Sequence, residues 1–102
     1  MASLRWSPEV LRYLRRKYKR NRHGDPWSFH DVEREVAAVL GRNLGSGRVS
    51  EYERGVYTPR ADMVAALAEV FGVEPGVFFV RASGPMTEAE ARAHLIARGV
   101  IG

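Results

Sequence analysis

The sequence predicts an all-α fold in which five helices close a single core and a sixth, C-terminal helix is appended. Apolar residues recur three and four positions apart in segments of helix length, and those segments open on serine or threonine caps and stop at glycines. Size sets the bound. At 102 residues and 45% hydrophobic content the chain has room for one modest core, not two, and is too apolar to stay disordered. No apolar run approaches the roughly 20 residues of a membrane span. With no cysteine and no signal-peptide pattern, a cytoplasmic, membrane-free protein without disulfides is expected.

Each element has its own signals. Trp6-Ser7-Pro8-Glu9 reads as a helix start, with Ser7 as cap, Pro8 in the first helical position and Trp6 able to staple onto Leu11. Val10, Leu11, Leu14 and Tyr18 give that helix an apolar stripe. A long connection follows, with Gly24-Asp25-Pro26 as its turn. Ser28, with Asp31 three residues on, opens the second helix, whose stripe is Phe29, Val32, Val36, Val39 and Leu40 and whose stop is Gly41. Residues 46–54 form a short third helix ending at Gly55. Pro59 to Phe71 is the fourth, with Met63, Val64, Leu67, Ala68 and Phe71 inward. Val73-Glu74-Pro75 restarts a short fifth helix whose Val77, Phe78, Phe79 and Val80 cover the core. The chain therefore divides into a domain over residues 1–81 and, over 82–102, a linker with a sixth helix that Thr87 and Glu90 cap and Gly99 ends.

Charge is distributed unevenly. Residues 1–60 hold 13 Lys or Arg against 7 Asp or Glu, whereas 61–102 hold 3 against 5, so the basic half suits a polyanion at one end of the molecule. Arginine supplies 14 of the 16 basic residues, which favours two-pronged contacts with phosphate and guanine.

The third helix lies in that basic half. Val49 and Tyr52 share one face, while Gly47, Ser50, Glu51 and Arg54 point the other way, so one side packs and the other is free to meet a groove. Val49-Ser50, Tyr52-Glu53-Arg54-Gly55, Pro59, Met63, Leu67-Ala68, Phe71-Gly72-Val73 and Phe79 together resemble the recognition helix and following helices of the Cro/CI-like (Xre) helix-turn-helix regulators. The resemblance is dense over residues 46–80 and thinner over 7–45, where the first connection and the turn before the third helix are both longer than the family's. It implies a lambda-repressor-like fold that binds double-stranded operator DNA through the major groove as a homodimer and represses transcription.

By that resemblance Ser46, Gly47 and Glu51 face bases, with Arg48 and Arg54 beside them. Arg48 could fork onto a guanine and Glu51 could accept from a cytosine amino group; their alternative is a surface pair with each other. Glu53 corresponds to a family glutamate that pairs with a first-helix arginine, here Arg15. Arg16, Lys17, Lys19, Arg20 and Arg22, together with Arg42 and Ser50, are the candidates for phosphate contacts. The long basic connection could track a backbone or enter a minor groove.

In the sixth helix Ala89, Ala93 and Ile96 line one side, Ala91 and Leu95 the adjacent one, and Val100 and Ile101 lie just beyond. A lone helix of this length is marginal in water, so it packs on its own domain or on a second chain. Dimerisation through Leu95, Ile96, Val100 and Ile101 is the expectation. The alternative is an antitoxin whose C-terminal helix grips a protein partner while the domain regulates its own promoter. His23, His30 and His94 lack paired metal-ligand spacing and no nucleophile or phosphate-cradle motif occurs, so no catalysis, cofactor or metal is expected.

Overall fold

Ser7 starts the first helix as its chemistry requires: its hydroxyl accepts from the Val10 amide at 3.2 Å, and Pro8 opens α1 (Pro8–Tyr13). The computed structural model describes residues 3–102, so the first two residues of the expected domain lie outside the described residues. After Tyr13 the helix widens into a π turn over Leu14–Tyr18, closed by a Lys19 amide to Leu14 carbonyl bond of 3.1 Å. That turn corrects the expected stripe. Val10, Leu11 and Leu14 are fully buried, but the extra residue rotates Tyr18 away from them and leaves it exposed.

The second helix, α2 (Phe29–Leu40), has the expected capping box, with the Ser28 hydroxyl accepting from the Asp31 amide (3.1 Å) and the Asp31 carboxylate accepting from the Ser28 amide (2.9 Å). Val32 and Val36 are its fully buried residues; Phe29 and Val39, expected inward, are exposed. Phe29 is covered from outside, with the Arg15 guanidinium 4.1 Å above its ring. The third helix, α3 (Arg48–Glu53), is followed by α4 (Ala61–Phe71), which packs Met63, Val64, Leu67, Ala68 and Phe71 against α2.

The expected fifth helix is corrected. Pro75–Phe78 makes a single 3-10 turn, and Phe79–Val80 becomes an extended strand, β2, paired antiparallel with β1 (Arg5–Trp6). An aromatic and a β-branched residue favour that conformation, and Trp6 rewards it by stacking on Phe78 at 5.2 Å between ring centroids. The Ser7 amide completes the seam by donating to the Phe78 carbonyl at 2.8 Å. Val77, Phe78 and Val80 still cover the core, and the described residues remain mostly helical.

The C-terminal helix, α5 (Glu88–Ala97), carries the expected Thr87–Glu90 capping box. Its role differs from the dimer expectation. Ala91 and Leu95 are fully buried against α1, and Val100 and Ile101 pack partly buried onto the same core, so these residues complete their own domain. Ile96 alone of the four dimer candidates stays exposed. The segment before α5 is held down as well: the Arg5 guanidinium donates to the carbonyls of Ala82 and Gly84, at 2.9 and 2.5 Å. No helix among the described residues is long and apolar enough to cross a membrane.

Candidate nucleic-acid interface

Six residues are too few to stay helical in water, so α3 depends on what surrounds it. Val49 and Tyr52 anchor its inner face at 0% and 7% exposure, and burial pushes the Tyr52 phenol's pKa up from its ordinary value. Both ends are clamped. At the start, Gly47 adopts φ 82°, a left-handed conformation that favours glycine, and its amide donates to Glu33 Oε1 of α2 at 3.2 Å. At the end, the carbonyls of Tyr52 and Glu53 accept from Trp6 Nε1 (3.1 Å) and Arg12 Nη2 (3.2 Å), the former alongside the Gly55 amide at 3.3 Å.

Glu53 is the strongest of these anchors. Its carboxylate, 2% exposed, takes Arg15 Nε on Oε2 at 2.5 Å and Arg15 Nη2 on Oε1 at 3.1 Å, with Arg12 Nε a further 3.8 Å from Oε1. The remaining nitrogen of Arg15 donates to the Trp27 carbonyl at 2.9 Å. One guanidinium thus joins α3 to the connection between α1 and α2.

The outer face of α3 carries the residues expected to read bases. Arg48 and Glu51 pair at 3.6 Å across one helical turn, and the Arg48 guanidinium lies 5.3 Å from the centre of the exposed Tyr57 ring. Such a surface pair is worth only about 0.2–0.5 kcal/mol, so a base edge offering better geometry can displace it. Ser50 is half-buried and Arg54 exposed. Ser46 and Gly47 are corrected from helical to turn residues, since the left-handed Gly47 cannot belong to the helix; they lie immediately before it.

The phosphate candidates do not form one surface. Arg42 pairs with Asp62 at 3.4 Å, both exposed, beside the start of α3. Lys19, Arg20 and Arg22 belong to the connection leading into α2. Arg16 and Lys17 lie on the α5 side: Arg16 borders a cleft with Met86 and Glu88, and the Lys17 ammonium is 4.0 Å from Glu88.

The sequence does not show the positioning roles of Arg12, Glu33 and Tyr57, nor the bond from Trp6 to the Tyr52 carbonyl. Arg12 precedes Arg15 by three positions on one helical face, a spacing that could have suggested a second arginine at Glu53. Glu33 and Tyr57 gave no such signal, because each acts across a loop whose path the sequence does not fix.

Comparison with known families agrees with this geometry. A family model described as helix-turn-helix matches residues 33–78, a span that contains α3 and Glu33 but not Trp6, Arg12 or Arg15. No curated protein and no solved structure matches the chain.

Proposed function

We propose that this chain, a DNA-binding transcription regulator whose residues 33–78 match the helix-turn-helix model of Cro/CI-like (Xre) regulators, is a cytoplasmic repressor, binding operator DNA as two copies on paired half-sites. The observation that carries the reading is α3: a six-residue helix clamped at both ends whose outer face holds Arg48, Glu51 and Arg54 over a turn of small residues. Small residues at its start let the helix enter the major groove deeply, and the outward arginine and glutamate match guanine and cytosine edges. One helix this short buries too little to select a site tightly. Two copies on half-sites one turn, about 34 Å, apart would supply the missing contacts. Docking of α5 buries Leu95 against its own domain, which leaves less of that helix for the protein partner of the antitoxin alternative.

The test joins a reporter to a titration. A promoter carrying the selected site should lose expression when the chain is supplied, and a duplex with both half-sites should bind two chains while one with a single half-site binds one, weakly. Raised expression, or one chain bound to the full site, would contradict the proposal.

A further inference from the structure

The connection between α1 and α2 is a built element. Arg20 and Pro26 face each other across an antiparallel bridge, the Asn21 amide donates to the Asp25 carbonyl at 2.9 Å, and the Gly24 amide donates to the Asn21 carbonyl at 2.9 Å. The Asn21 side-chain oxygen accepts from the amides of His23 (2.8 Å) and Asp25 (3.1 Å), tying the tip together from inside. Its base is fixed too. The Trp27 ring lies 5.7 Å from that of Phe71, and the Trp27 carbonyl takes its hydrogen bond from Arg15, the residue that grips Glu53. This small hairpin is therefore held at a set position relative to α3.

Its chemistry is cationic and open. Lys19, Arg20 and Arg22 bring three positive charges against the single carboxylate of Asp25, and Arg20, Arg22 and His23 are exposed. Adjoining clefts lead from the hairpin to α3. A cleft between its tip and the start of α2 is bordered by Arg34, which borders in turn a groove along α2 as far as Arg42. Arg42 borders a third cleft that reaches Arg48. We propose that the hairpin of residues 19–27 is a second DNA-contacting element, with Lys19, Arg20 and Arg22 binding duplex phosphates beyond the bases that α3 reads. This rests on the DNA-binding reading above. The hairpin stands at the end of α2 away from the turn into α3, and twelve helical residues span about 18 Å, so its contact falls roughly 5 base pairs outside the half-site. It adds affinity and salt dependence without reading sequence, because phosphates are alike at every base pair.

The experiment uses the full chain and two duplexes: the selected site cut flush at its outer edges, and the same site extended by about 6 base pairs on each side, on the scale of the helix span above. The unmodified chain should bind the extended duplex more tightly, with a steeper dependence on salt. The double variant Arg20→Gln/Arg22→Gln should lose about 1.8 of that salt slope per bound chain on the extended duplex, roughly 0.9 per contact, and bind the flush duplex as before. Arg92→Ala, which removes an exposed charge on α5, should match the unmodified chain on both. Equal binding of the two duplexes by the unmodified chain, or an unchanged slope in the double variant, overturns the hairpin contact while site selection by the unmodified chain stands. Absence of any site selection overturns the DNA-readout proposal itself and this inference with it.

Discussion

The guanidinium of Arg15 holds the carboxylate of Glu53 through two hydrogen bonds, at 2.5 and 3.1 Å, joining the π turn after α1 to the last residue of α3. Such a pair fixes orientation more than it adds stability, since desolvation offsets much of its attraction. Removing one partner is another matter. Arg15→Leu leaves a carboxylate of 2% exposure facing only Arg12 at 3.8 Å and should cost about 3–5 kcal/mol in denaturant unfolding, whereas Arg15→Leu/Glu53→Leu should regain a large part of that loss. A double variant as unstable as the sum of the two single ones would show that the residues do not act as a unit.

Leu95 and Ile96 are neighbours with opposite fates. Leu95 is fully buried beneath α5 and Ile96 is 40% exposed. Thermal unfolding should therefore show Leu95→Ala destabilised by about 2–5 kcal/mol, while Ile96→Ala changes little. Equal tolerance of the two substitutions would mean that α5 does not dock on α1.

Acid should loosen the two capping boxes. The Ser28 amide bonded to the Asp31 carboxylate, with help from Arg34, holds that carboxyl below its usual range, and the Thr87 amide does the same for Glu90. Because the folded-state values are the lower ones, the stabilisation is present above the ordinary carboxylate range near pH 4 and fades as pH falls through the depressed values. Melting temperature should fall over that window in the unmodified chain and fall less steeply in Asp31→Asn/Glu90→Gln. Identical slopes would remove the caps from the account of acid sensitivity.

How much of this was legible depended on the range over which each residue acts. The capping boxes at Ser28 and Thr87 and the break at Gly55 are local, and the structure has them where the spacing put them. The π turn was not legible, since one extra residue in a helical turn leaves no mark in a stripe such as Val10, Leu11, Leu14 and Tyr18, yet it decides that Tyr18 faces out. Phe79 and Val80 read as helix because they follow Pro75 at core spacing. Their strand needs Arg5 and Trp6, which lie more than seventy residues away. At the interface, the Arg15–Glu53 pairing came through family resemblance, whereas Glu33 under Gly47 required the path of the α2–α3 turn. The wide apolar stripe of α5 was correctly read as needing cover, and what covers it was a question only the packing could answer.

Whether α3 reads bases through Arg48 and Glu51 is tested most directly by selecting bound duplexes from a random pool with the intact chain, Arg48→Ala and Glu51→Ala in parallel. The intact chain should enrich a motif of paired half-sites. Each variant should keep the fold's thermal transition and lose preference at one position per half-site, by about 1–3 kcal/mol or roughly 5- to 150-fold. No enriched motif with the intact chain, or the full motif unchanged in both variants, would contradict the assignment of α3 as the reading element.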